Sequence, residues 1–237
     1  MSGLRTAGVV RVDVLTVPVA GLGPLPEHLL GPAERARADR FRRTEDRRLS
    51  VVASLLVRAV AGRALGVPPG EVEVVRRCPG CGGPHGAPFV QGAPLLSVSH
   101  CAGLVVVAAC DLPVGVDAEP ADRTGMAAVA GLLLAPGEPV PDDAGLLRTW
   151  VRKEAVLKAT GRGLTVPLTE VRVTAPGERA AVVHHGPDPG LAVALADVDL
   201  PGGVGAVAVL TAAALDVRTG DGTALVLGAG TMVPFTS

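Results

Sequence analysis

Between Leu95 and Glu119 the chain places three short apolar segments, Leu95–Ser99, Leu104–Cys110 and Val114–Glu119, separated only by Cys101-Ala102-Gly103 and Asp111-Leu112-Pro113. Connections this short cannot contain a crossover helix, so they predict an antiparallel meander. The block lies between two helical patterns. Upstream, Leu49, Val52, Leu56 and Val60 share one face of a helix that opens at Thr44, carries Glu45 and Asp46 in its first turn and stops at Gly66. Downstream, Leu146–Thr160 reads as a second long helix ended by Gly161, preceded by a shorter one over Met126–Leu134. Further strand-like runs are Val10–Val14, Glu71–Val75, Val171–Thr174, Leu191–Val198 and Val204–Thr211. A helix followed by several strands therefore occurs twice, which predicts an α+β fold of two pseudo-symmetric halves sharing an interface. The expected halves are residues 1–112 and 113–215, with 216–237 a Gly/Thr-rich tail that is either a loose extra strand or disordered.

The chain is 48% hydrophobic but only 2% aromatic, so its core must be made of Val, Leu and Ala. A net charge of −1 argues against nucleic acid or an anionic membrane as partner, and any anion site must be local. No apolar run approaches the roughly 20 residues of a membrane span, and Met1–Val12 lacks the features of a secretory leader. Four cysteines are too few for a disulfide scaffold at this length. The expectation is a cytoplasmic, reduced monomer, since nothing here demands a second subunit.

Of 22 basic residues only Lys153 and Lys158 are lysine, and both stand beside the single tryptophan, Trp150. An ammonium is a compact, titratable point charge, unlike the planar guanidinium the chain uses elsewhere. Glu154 and Lys158, four apart on the expected helix, share a face with Trp150. An ordinary surface salt bridge accounts for that spacing, but not for lysine in an arginine protein. On the strand Val114–Glu119, Asp117 and Glu119 project from one face, where two carboxylates repel each other unless a cation lies between them. Oxygen-only donors suit a hard divalent ion such as Mg²⁺; two independent solvent-facing acids are the alternative. Glu154 would add a third carboxylate.

Gly115-Val116-Asp117-Ala118-Glu119, followed by Trp150-x-x-Lys153-Glu154-Ala155-x-x-Lys158-Ala159-x-Gly161-x-Gly163-Leu164, resembles the paired signature of phosphopantetheinyl transferases of the surfactin-synthetase-activating type. Arg40-Phe41, Glu45-Asp46 and Leu56-Val57-Arg58 match the arginine-rich first helix of that family, and Ser97-Val98-Ser99-His100 its Ser-His strand. The resemblance runs from about Ala33 to Leu164. It implies an active site at the interface of the halves and transfer of 4′-phosphopantetheine from coenzyme A to a serine of an apo acyl or peptidyl carrier protein. Adenosine 3′,5′-bisphosphate would be released. It further implies that Asp117, Glu119 and Glu154 hold Mg²⁺, that Glu154 is the candidate general base, and that Lys158 neutralises the pyrophosphate with Lys153 nearby. Ser99 and His100 would lie at the 3′-phosphate, and Arg37 against a coenzyme A phosphate.

One position departs from the family. Where a Gly-Lys-Pro or Gly-Arg-Pro turn is common, this chain has Gly86-Ala87-Pro88, so His85 or the backbone must substitute, or affinity falls. A degenerate relative that binds coenzyme A or a carrier without transfer is therefore one rival reading. The other is an unrelated zinc-binding interaction module organised by Cys78, Cys81 and His85, which have zinc-knuckle spacing. Only three ligands lie close together and no second CxxC exists, so we expect a reduced loop there.

Overall fold

The computed structural model describes residues 8–78, 80–101 and 103–228. In chain order its elements begin with β1 (Val10–Pro18), α1 (Pro32–Ala38), α2 (Thr44–Leu65), β2 (Val75–Arg76) and β3 (Pro88–Phe89). There follow β4 (Leu95–Cys101), β5 (Leu104–Cys110), β6 (Val114–Pro120), α3 (Ala130–Leu133) and α4 (Asp143–Ala159). The chain then forms β7 (Val171–Val173), β8 (Val182–His185), β9 (Ala194–Leu200), β10 (Gly203–Val209), β11 (Leu215–Asp221) and α5 (Thr223–Val226).

Two sheets stand back to back, each with a long helix on its outer face, and the α+β class expected from the sequence is observed. One sheet has the order β11-β1-β5-β4, the other β6-β10-β9. Strand alternation assigns each side chain to a layer. On β5, Val105, Val107 and Ala109 face α2, whereas Leu104, Val106 and Ala108 enter the core between the sheets. On β10, Ala206 and Ala208 face α4, whereas Val207 and Val209 enter the same inter-sheet core. Small aliphatics suffice because the layers approach closely.

The expected meander holds for β4 and β5, which pair antiparallel, but β6 leaves it. β5 already has β1 on one edge and β4 on the other, so β6 has no free edge there and pairs with β10. The turn expected at Cys101-Ala102-Gly103 is described only at its two ends. The segment expected as a tail supplies β11, which runs parallel to β1 with Val10 opposite Leu215 and Thr16 opposite Asp221. Leu215 and Val217 pack against the inter-sheet core and Val226 enters the core under α2, so this stretch completes the N-terminal sheet. Residues 229–237 of the expected tail lie outside the described residues.

Other differences are local. The expected strand Glu71–Val75 is a 3₁₀ turn at Pro69–Glu71 followed by the two-residue β2. The expected helix Met126–Leu134 is a 3₁₀ turn at Met126–Val129 running into α3. α4 starts earlier than expected because Asp142 caps it, its Oδ1 accepting from Gly145 N at 2.8 Å. Arg152, fully buried, ties α4 to its sheet. Its guanidinium donates to both oxygens of Asp197 at 2.9 and 2.7 Å and to the carbonyls of Thr174, Ala175 and Glu178.

α4 lies hard against β6 at Gly115. A Cβ there would fall well inside contact distance of Ala155 O and Ala159 N and reach Lys158 Cβ at 2.9 Å. Backbone atoms of a helix cannot swing aside. Gly115→Ala is therefore expected to destabilise the fold by about 3 kcal/mol or more, the upper end for overpacking. Equilibrium denaturation checks this; an unchanged midpoint would mean that α4 does not depend on the glycine.

Candidate active site

Gly115 sets the distance at which β6 faces α4, and Asp117 and Glu119 follow it on the same side of the strand. Their neighbours Val114, Val116 and Ala118 point into the inter-sheet core. On α4, Glu154 and Lys158 are one turn apart and meet this face.

Lys158 is the hub. Its Nζ donates to Asp117 Oδ1 at 2.7 Å, to Val116 O at 3.0 Å and engages Ser99 Oγ at 3.2 Å. Ser99 Oγ donates to the same Asp117 oxygen at 2.9 Å, and Ser97 Oγ accepts from Val116 N at 3.0 Å. β4 and β6 are the facing edges of different sheets, and here serine side chains stand where a backbone ladder would otherwise run. The expected site residues Asp117, Lys158 and Ser99 are thus brought together by three elements.

Glu154 adjoins them and is nearly buried. Burial, and then the neighbouring Asp117, push its carboxyl above the usual range; Lys158 opposes this and Glu119 adds to it. Glu119 pairs with Arg123 at 2.6 Å, and the Arg123 guanidinium lies 5.5 Å from the centroid of the Trp150 ring. The sole indole therefore supports the arginine that holds Glu119.

The donor set fits a hard divalent cation. Asp117 Oδ2 is buried without a hydrogen-bond partner, and Glu154 is held in the electrostatic company of two further acids with Lys158 as the opposing charge. The chemistry is oxygen-only, as Mg²⁺ requires. The three carboxylates nevertheless do not converge as tightly as a closed ligand set. Among the described residues only Cys78, Cys81 and His85 bring three ligand atoms within 4.8 Å of one another.

The structure does not bring Lys153, expected near the pyrophosphate, into this cluster. Its Nζ is buried and donates to Leu133 O at 2.7 Å and Glu138 Oε2 at 3.1 Å, tying the segment after α3 to the helix. Adjacent helical residues point about 100° apart, so Lys153 cannot share the face of Glu154. Its bonds are those of a residue that fixes structure.

Beside Lys158 opens a cavity of about 260 Å³, lined by Arg76, Gly86, Ala87, Pro88, Ser97, Val98, Lys158, Gly161 and Gly163. A second, of about 310 Å³, is lined by Arg37, Arg40 and Arg76 among others. Arg76 belongs to both. Burial, and then the Arg37 charge, push it down to about 10, while its Nε is buried without a partner. It donates from Nη1 to Gly86 O at 2.6 Å. Arg37 donates to Ser54 Oγ at 2.8 Å. α1, which carries Arg37, is docked on α2 by the buried Arg58–Glu34 pair at 2.6 Å. His100 lies on the face of β4 opposite Ser99. Partial desolvation of its ring, then Lys158 and, more weakly, Arg37, hold it below the usual histidine value. A larger cavity, about 670 Å³, lies elsewhere, and its Asp197 is already paired with Arg152 and Arg148.

Arg76 is the residue that sequence reasoning misses, because it is one of 20 arginines and stands outside the motifs that carry the resemblance. The available signal is a pairing position: β2 and β3 set Arg76 opposite Pro88, next to Ala87, where the resemblance leads to the expectation of a basic side chain. His85, one of the substitutes expected, is instead turned to Cys81 at 3.0 Å.

Residues 113–209, which contain β6, α4 and β10, match the family described as the 4′-phosphopantetheinyl transferase superfamily. Over 150 residues the chain is 25% identical to a 4′-phosphopantetheinyl transferase of Bacillus subtilis, a match covering 59% of this chain and 64% of that protein. Over 147 residues it is 29% identical to the 4′-phosphopantetheinyl transferase psf-1 of Bacillus pumilus, covering 57% and 60%. The match thus spans less than two thirds of either relative. It is through the segment that bears the carboxylates and the lysine that the chain is similar to the 4′-phosphopantetheinyl transferase superfamily.

Proposed function

We propose that this protein transfers the 4′-phosphopantetheine group of coenzyme A to a serine of an apo acyl or peptidyl carrier protein and releases adenosine 3′,5′-bisphosphate. The observation that carries the reading is Lys158, held by Asp117 and Ser99 with Glu154 one turn away, at the wall of a cavity that Arg76 also lines. Attack of a hydroxyl on a pyrophosphate phosphorus needs charge cancellation, in-line positioning and removal of one proton.

Glu154 is the candidate base. A carboxyl with a raised pKa accepts a proton more readily than an ordinary one. Lys158 fixes an ammonium where pyrophosphate oxygens would lie. Arg76 and Arg37 form the cationic end suited to the 3′-phosphate, with the His100 ring as a neutral hydrogen-bonding neighbour, and Arg76 supplies the charge absent at Ala87. Asp117, Glu119 and Glu154 would hold Mg²⁺, which when bound supplies positive charge to the pyrophosphate oxygens. In this reading Lys153 holds the segment after α3 and does not touch coenzyme A. Both halves contribute side chains, so one chain suffices and we assign a monomer acting in the cytoplasm, where its free cysteines stay reduced. The family match lies wholly outside the Cys78–His85 loop, which argues against an unrelated zinc-binding module.

Glu154→Gln separates the effects. Transfer, read by the mass gain of an apo carrier incubated with coenzyme A and Mg²⁺, should fall by about 100-fold or more. A raised folded-state pKa means that Glu154 contributes most to stability while protonated and loses that contribution as pH rises through the folded value. The glutamine variant should therefore melt higher than the parent at neutral pH, and added Mg²⁺ should raise the parent's midpoint more than the variant's. The parent's transfer rate should decline on acidification from above the ordinary carboxylate range. Near-normal transfer by the variant would remove Glu154 from the mechanism, and a parent that binds coenzyme A without transfer would be the degenerate relative.

Arg76→Ala should raise KM for coenzyme A about tenfold or more, the effect of one charge-assisted hydrogen bond, with kcat little changed. Dephospho-coenzyme A, which lacks the 3′-phosphate, should show no such difference between parent and variant. An equal penalty with both substrates would place Arg76 away from that phosphate.

A further inference from the structure

The loop from Arg77 to Ala87, between β2 and β3, carries chemistry that phosphopantetheine transfer does not use. Cys78 Sγ, Cys81 Sγ and a ring nitrogen of His85 lie within 4.8 Å of one another. Zn–S bonds near 2.3 Å and Zn–N bonds near 2.0 Å imply ligand separations of roughly 3.3–3.8 Å around a tetrahedron, so small shifts would let all three meet one ion. Cysteine is ordinarily among the most buried residue types. Here Cys81 and His85 are exposed and Cys78 only partly covered, so packing does not explain the grouping.

The backbone is shaped around the two sulfurs. The N–H groups of Gly80 and Cys81 point at Cys78 Sγ, and Gly83 N donates to Cys81 Sγ at 3.4 Å. Sulfurs that accept backbone N–H bonds are suited to bear the negative charge of bound thiolates. The turn is closed by Cys78 N to Gly83 O at 2.9 Å and Gly82 N to Cys78 O at 2.8 Å, with Gly82 at φ 70°. A Cβ on Gly83 would lie 3.2 Å from both Cys81 Sγ and the His85 ring, so the glycine keeps the space between those ligands open.

We propose that Cys78, Cys81 and His85 bind one zinc ion as a structural site, with water in the fourth position, and that this ion pins the loop forming one wall of the arginine-lined cavity. The loop has little else to hold it. β2 and β3 are two residues each, and Val75 and Phe89 are exposed. Its ends are functional: Arg76 precedes the loop and bonds to Gly86 O, and Gly86-Ala87-Pro88 follow His85. Fixing three ligands within eight residues fixes both ends. Small elements without a core of their own commonly draw their folding energy from such an ion.

The test needs no transfer assay, so its failure and that of the transferase reading are separable. Protein purified in the presence of Zn²⁺ and dialysed should retain one zinc per chain by elemental analysis. Co²⁺ added to the metal-free protein should produce a sulfur-to-cobalt charge-transfer band. Cys81→Ser and His85→Ala should each weaken Co²⁺ binding about tenfold or more, whereas Cys101→Ser should not, with circular dichroism confirming the fold of each. Amides of residues 80–83, 85 and 86 should exchange hydrogen more slowly with zinc than after chelation. Absence of the band, an unaltered band in Cys81→Ser, or a Cys78–Cys81 disulfide in place of metal under reducing purification would each overturn the proposal.

Discussion

Two sheet edges, β4 and β6, face each other without a backbone ladder, and the polar groups between them still have to be satisfied. Ser97 takes the N–H of Val116, Lys158 takes its carbonyl, and Ser99 and Lys158 converge on Asp117. An unmet buried polar group costs about 1–3 kcal/mol, so this junction is held by the hydrogen-bonding needs of β6 as much as by apolar packing. Two of the side chains that close it, Ser97 and Lys158, also line the cavity. Structure and chemistry are joined in Lys158, whose ammonium links both sheets to a helix.

That arrangement depends on close approach. Gly115 admits α4 to the surface of β6. Farther along the same sheet, Arg152 is bound by Asp197 and by the carbonyls of Thr174, Ala175 and Glu178, which keeps the helix from rotating. With α4 held in this way, Glu154 stays beside Asp117 and within the field of Glu119, a position its charge disfavours. The fold accepts that local penalty at the place where charged chemistry is proposed, as functional sites commonly do.

Much of this is legible in the residues. The alternation of Gly115, Asp117 and Glu119 and the one-turn spacing of Glu154 and Lys158 are local periodicities, and each side chain faces as those periods require. Other parts are not legible. Nearness in sequence groups Lys153 with Glu154, but a step of one residue on a helix turns it toward Leu133 and Glu138. Nothing before the β2–β3 pairing connects Arg76 with Pro88. The short turn after β5 suggests that β6 continues the meander, although β5 has no edge left to offer.

Residue pattern is enough to dictate the α+β class, the two long helices and the acids and the one lysine from which the site is drawn. Strand alternation and helix phase fix these within a few residues of chain. The addition of β11 to the N-terminal sheet, the serine bridge from β4 to β6 and the placement of Arg76 beside Ala87 emerge only in the packed molecule. Each depends on which strand edges remain free and how closely layers distant in sequence approach, and no local pattern encodes that.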